Sequence, residues 1–124
     1  MRLLLDTHPA LWWLDGGERV GAEAGRALVD PANEVLLSAA VVWEVAIKRS
    51  LGKLRAPAGF ASVLHGAGAL PLPVTIAHAE AVERLPWHHR DPFDRLLVAQ
   101  AQAEEAAIVS RDERLAAYGV PLVW

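Results

Sequence analysis

Cysteine is absent from the sequence. That excludes disulfides and any thiolate metal site, and it suits a reducing compartment, with the cytoplasm as the default. A positive balance is absent too. Lys and Arg number 12 against 15 Asp and Glu, a formal net charge of −3, so there is no global attraction for nucleic acid, and any such contact relies on local basic clusters or bound metal. No uncharged run suits a membrane. The longest, Ala56 to Ala79, contains Pro57, Pro71, Pro73, Gly59, Gly66, Gly68 and two histidines, a poor membrane helix. Nor does the start read as a signal peptide, because Leu3-Leu4-Leu5 is cut off at once by Asp6. What the chain does have is 53% hydrophobic residues in 124 positions, which predicts one compact domain over residues 1–124 with a single core.

Hydrophobic periodicity and turn residues predict alternating strands and helices. Arg2 to Leu5 reads as a strand, and His8-Pro9 puts proline at the start of a helix carrying Trp12, Trp13 and Leu14, ended by Asp15-Gly16-Gly17. A second helix is expected from Val20 to Val29, stopped by Pro31, and then the strand Val35-Leu36-Leu37. Ser38 is placed to cap a third helix running to about Leu51, where Gly52 supplies a left-handed stop. Leu54 to Val74 mixes a short helix around Phe60 to Leu64 with Gly- and Pro-rich connections, and two prolines assign Leu70 to Val74 to a sheet edge. Helices at Ile76–Leu85 and Pro92–Glu105, a strand at Ala107–Ser110, a helical turn around Leu115 and a last strand at Leu122-Val123 complete the series. Such alternation implies an α/β fold with a mainly parallel central sheet flanked by helices.

In open parallel sheets, ligands gather beyond the carboxyl ends of the strands. Asp6 follows the first strand, Asp112 follows the strand ending at Ser110, and Asp94 lies in the first turn of the helix after Pro92, so three acids fall at one edge. Glu44 is the only charged residue between Val35 and Ile47. Buried alone, it needs a cation or donors, and Lys48, one turn on, is a candidate partner. Hard oxygen ligands without cysteine or a spaced histidine pair suit Mg²⁺ or Mn²⁺ better than zinc. Each residue also has a structural reading. Asp91 before Pro92 is an N-cap, Asp94 complements a helix dipole, Asp112 caps the following turn, and Glu44 with Lys48 is an i,i+4 pair.

Four segments in order, Leu4-Leu5-Asp6-Thr7-His8, Trp43-Glu44-Val45-Ala46-Ile47-Lys48, Arg90-Asp91-Pro92-Phe93-Asp94-Arg95-Leu96-Leu97 and Val109-Ser110-Arg111-Asp112, resemble the PIN-domain ribonuclease toxins of the VapC family of bacterial toxin–antitoxin modules. The resemblance spans nearly the whole chain and implies a PIN-domain fold and a Mg²⁺- or Mn²⁺-dependent endoribonuclease. It implies a site of Asp6, Glu44, Asp94 and Asp112, with Ser110 matching the small hydroxyl residue before the last acid. It further implies a homodimer or higher assembly, and a VapB-type antitoxin whose C-terminal segment occupies the active-site groove. Pro9 departs from the alanine more usual after Asp-Thr-His, a change that a helix start tolerates. On this reading Asp6, Asp94 and Asp112 hold the metal directly and Glu44 acts through a water, with Ser110, Thr7, Asp91 and Arg95 as accessory candidates.

Arg95 and Arg111 flank two of the acids and are expected chiefly as their structural counter-charges, the alternative being contact with the scissile phosphate. Lys48, Arg49, Lys53 and Arg55 form the densest basic patch, either a solvated helix end or a track for the RNA backbone. Trp87, His88 and His89 read as a surface loop, the alternative being base stacking, and adjacent histidines do not by themselves make a metal site. Trp12 and Trp13 point about 100° apart on a helix, so one of them is free for an interface. Two other functions compete. An aspartate-nucleophile phosphatase needs a second aspartate two residues after Asp6, where this chain has His8. A non-catalytic PIN-like module would bind RNA or protein without cutting.

Overall fold

The computed structural model describes residues 1–124. Its elements are β1 (Arg2–Leu5), α1 (Thr7–Leu14), α2 (Ala22–Val29), β2 (Glu34–Ser38), α3 (Ala39–Ser50), α4 (Phe60–Gly66), β3 (Leu70–Leu72), α5 (Ile76–Ala81), α6 (Pro92–Ala103), β4 (Ala107–Val109) and β5 (Leu122–Val123). Two 3₁₀ segments, Val82–Arg84 and Glu113–Tyr118, complete it. The five strands form one sheet in the order β3-β2-β1-β4-β5, and every pairing is parallel. This is the expected α/β architecture.

The central strands have no solvent face. Leu3, Leu4, Leu5, Ile108 and Val109 are each 0% exposed, because helices cover both sides of a parallel sheet and its strands become continuous apolar runs. Burying one such leucine is worth roughly 1.5–3 kcal/mol. The chain moves outward from β1 to β2 to β3, then returns to place β4 on the other side of β1. The strand order therefore reverses between β1 and β4, and the crevice beyond their carboxyl ends is where such sheets hold ligands.

Capping follows the sequence closely. Ser38 accepts from the Ala40 N–H, and Asp91 accepts from the N–H groups of Phe93 and Asp94 with Pro92 in the first turn. At the end of α3, Gly52 adopts φ +69° while the Lys53 and Gly52 N–H groups reach the carbonyls of Lys48 and Arg49, a Schellman stop. Three boundaries differ from expectation. The second helix starts at Ala22 because Gly21 serves as its N-cap, tight against Trp124: a Cβ there would lie 2.5 Å from the Trp124 backbone. The helix from Ile76 tightens to 3₁₀ geometry after Ala81, where Arg95 takes the carbonyls of Val82 and Leu85. The long helix ends at Ala103, as Glu105 turns to φ +51°. No helix is long and apolar enough to cross a membrane.

Candidate active site

Leu5 of β1 pairs with Val109 of β4, so the next residues, Asp6 and Ser110, leave the sheet side by side. The Ser110 hydroxyl donates to Asp6 Oδ2 at 2.7 Å and accepts from the Asp112 N–H at 3.1 Å, linking the acids of the two strands. The other oxygen of Asp6 accepts from the Thr7 N–H at 2.8 Å. Burial pushes the Asp6 carboxyl above its ordinary value, against the pull of the Ser110 and Thr7 hydrogen bonds.

Glu44 enters from α3 and is 7% exposed. Its Oε1 accepts from the Thr7 hydroxyl at 2.7 Å and its Oε2 from Lys48 Nζ at 2.5 Å. The i,i+4 pair expected of Glu44 and Lys48 thus forms, and it does so inside the acidic cleft rather than on an outer face. Lys48 lines that cleft, whereas Arg49 and Lys53 are exposed.

Across the cleft, Asp112 is held by Arg114. Its Oδ1 accepts from the Arg114 N–H and Nε at 3.1 and 3.0 Å, and its Oδ2 from Nη2 at 3.0 Å. These bonds keep the Asp112 carboxyl below the usual carboxylate range. Asp94, on the first turn of α6, has no Lys or Arg partner; its close polar neighbour is His89 Nε2 at 3.0 Å. Burial, and then the charges of Asp6, Asp91, Glu44 and Asp112, push its carboxyl up to about 7.

Asp6, Glu44, Asp91, Asp94 and Asp112 all face one cavity of about 380 Å³, together with Thr7, Ser110, Lys48, Arg111 and Arg114, and only one of its 13 lining residues is hydrophobic. So polar a cleft suits a charged ligand and not an apolar one. His8 and Trp12 form its wall toward a neighbouring groove of about 670 Å³ lined by Leu11, Leu14, Leu54, Arg19 and Arg55. Trp13 instead packs on the core.

Two expectations need correction. Arg95 is no counter-charge for the acids. It is 3% exposed, its guanidinium lies 3.8 Å over the Trp87 ring, and it donates to the carbonyls of Val82, Leu85, Pro86 and His89 and to the Tyr118 hydroxyl. Adjacent residues on a helix diverge by about 100°, so Arg95 points away from the cleft that Asp94 faces. His89, expected in a surface loop, is 8% exposed and meets both Asp94 and Asp112. Arg111 lies over Trp12 at 4.9 Å and lines the cleft rim. Arg114 belongs to none of the sequence motifs, and its sole signal in the chain is a position two residues after Asp112.

The donor set fits a hard divalent cation. It consists of carboxylate and hydroxyl oxygens, with one crowded carboxyl that lacks a permanent cation. Clustered acids of this kind bind such ions in preference to soft metals.

The PIN domain family model matches residues 3–121 of the chain. A search of curated proteins gives no match. Among solved structures, VapBC2 from Rickettsia felis bound to a DNA fragment from their promoter superposes with a TM-score of 0.72 at 15% identity, covering 98% of this chain and 97% of that one. DNA-bound VapBC from Salmonella typhimurium gives 0.70 at 14%, with 98% and 96% covered. FitAcB from Neisseria gonorrhoeae gives 0.61 at 19%, with 97% and 95% covered. At these identities the likeness is one of fold.

Proposed function

Because the chain belongs to the PIN domain family, we propose that residues 1–124 act as one domain, a VapC-type toxin of the cytoplasm: a Mg²⁺- or Mn²⁺-dependent endoribonuclease that hydrolyses RNA phosphodiester bonds. The observation that carries this reading is Asp94, a carboxyl pressed among four other acids without a lysine or arginine of its own. Such a group is balanced when a cation arrives with the substrate.

Asp6, Asp94 and Asp112 take the direct ligand positions. Glu44, with one oxygen on Thr7 and the other on Lys48, acts through water. A bound Mg²⁺ or Mn²⁺ supplies acidity to water and positive charge against the oxygens of the phosphate under attack. Ser110 and Thr7 fix the rotamers of Asp6 and Glu44, and Arg111 and Arg114 at the rim are placed to take flanking phosphates.

The proposal extends to partners. Two of the similar structures are described as VapBC bound to DNA, and for this chain we assign a VapB-type antitoxin. Its extended segment would lie in the groove of Leu11, Leu14, Arg19 and Leu54 and insert an arginine or lysine among the acids. Assembly as a homodimer or higher oligomer belongs to the same reading.

Sequencing of RNA ends after brief expression tests it. Wild-type protein should create discrete new ends, and Asp94→Asn should create none. Indistinguishable RNA ends in the two would mark a module that binds without cutting.

A further inference from the structure

His89 is fixed through both its backbone and its ring. The backbone N–H donates to the Tyr118 hydroxyl at 2.9 Å, and Arg95 Nη1 donates to the His89 backbone carbonyl at 3.4 Å. On the ring, Nδ1 accepts from the Asp91 N–H at 3.1 Å. A nitrogen that accepts a hydrogen bond presents a lone pair and no proton, so the ring proton sits on Nε2. That nitrogen faces Asp112 Oδ2 at 3.4 Å and Asp94 Oδ2 at 3.0 Å.

From this geometry we infer that His89 is a positioning residue of the acidic site: its Nε2–H holds the Asp94 and Asp112 carboxylates side by side, and the ring is not itself a ligand. The inference rests on the reading of the acids as a cation site.

Proximity alone points the other way, since one ligand atom each of His89, Asp94 and Asp112 lies within 4.8 Å of the others, a grouping able to hold an ion. Ligation through Nε2 would move the proton to Nδ1, against the Asp91 N–H. Two donors would then face each other, each without an acceptor, which disfavours that tautomer. The Asp91 N–H cannot easily turn aside, because Asp91 Oδ1 caps α6 through Phe93 and Asp94. The cap that starts the helix therefore also sets the tautomer. Metal-bound histidines are commonly oriented by an outer carboxylate. Here the order is inverted, with carboxylates as ligands and histidine as the outer donor.

The test combines long-range ¹H–¹⁵N spectra of ¹⁵N-histidine-labelled protein, with and without saturating Mg²⁺, and calorimetric Mg²⁺ titration of wild type, His89→Gln and His89→Ala. The expected tautomer is Nε2–H in both spectra. His89→Ala should weaken Mg²⁺ binding about 10-fold, the lower end of the range for outer-sphere partners. His89→Gln, whose amide N–H can reach the same oxygens, should recover most of that loss. A proton on Nδ1 in the Mg²⁺ form, or wild-type affinity in His89→Ala, would overturn the inference. The tautomer measurement uses unaltered protein and stands whether or not a variant folds. Absence of Mg²⁺ binding by wild type would instead overturn the cation site itself, which separates the two failures.

Discussion

The two halves of the acidic cleft are stabilised by different means. On the β1–α3 side, Asp6 and Glu44 are buried but answered by fixed, short-range donors: the Ser110 and Thr7 hydroxyls, the Thr7 N–H and Lys48. On the α6–β4 side, Asp112 leans on an exposed arginine, and Asp94 has only the edge of an imidazole. Each carboxylate of the first half has donors of its own, although burial still pushes Asp6 upward. The second is left short of positive charge, and under the proposed function it is at Asp94 that a cation would be needed most.

The largest effect should come from removing that demand. Asp94→Asn keeps volume and deletes the charge, and RNA cleavage should fall by about 10²-fold or more, the scale of losing a preorganised electrostatic group. The same substitution should raise the thermal stability of EDTA-treated protein, where it relieves repulsion among the acids. The pH dependence sharpens this. Asp94 has a folded pKa of about 7 against 3.8 for the free group. Between these values the folded state binds more protons than the unfolded one, so the stabilisation present below 3.8 is lost as pH rises through about 7. The Tm advantage of Asp94→Asn should therefore grow from about pH 4 to about pH 8. An advantage that stays constant with pH would break the contrast between the halves.

Thr7→Val tests the opposite half. It removes the hydroxyl that Glu44 accepts from, at similar side-chain volume, and leaves a buried carboxylate oxygen unpaired. The metal-free protein should lose about 1–3 kcal/mol, read from denaturant unfolding. The sign is thus reversed from Asp94→Asn. The smallest effect is expected at Arg114. Its bonds to Asp112 are made by an exposed side chain, and exposed pairs contribute little. Arg114→Ala should leave Tm nearly unchanged and alter Mg²⁺ affinity by no more than about 3-fold, a shift below 1 kcal/mol.

Much of this was legible in the chain. Asp6 and Asp112 could be placed because each ends an apolar strand run, and Glu44 because it is a solitary charge in an apolar segment. Period and capping gave most helices. Arg95 and His89 were misread for related reasons. Arg95 adjoins Asp94 in sequence, yet helix geometry turns it away to anchor the loop before α6 through neutral carbonyls. That anchoring, with Tyr118 from 29 residues away, is what buries His89. Local spacing carries no sign of a contact made at that separation. Helix boundaries at Gly21 and Glu105 likewise depend on a tertiary approach by Trp124 and on a left-handed residue that is not glycine.

The most direct test of the central claim is cleavage of a defined RNA by purified, metal-depleted protein, titrated with Mn²⁺ and analysed for the chemistry of the new ends. Activity should be absent in EDTA and return with the ion. The ends should carry no 2′,3′-cyclic phosphate, because water and not the neighbouring 2′-hydroxyl makes the attack. Full cleavage in EDTA, or cyclic phosphate ends, would contradict a cation-dependent site built on Asp6, Asp94 and Asp112.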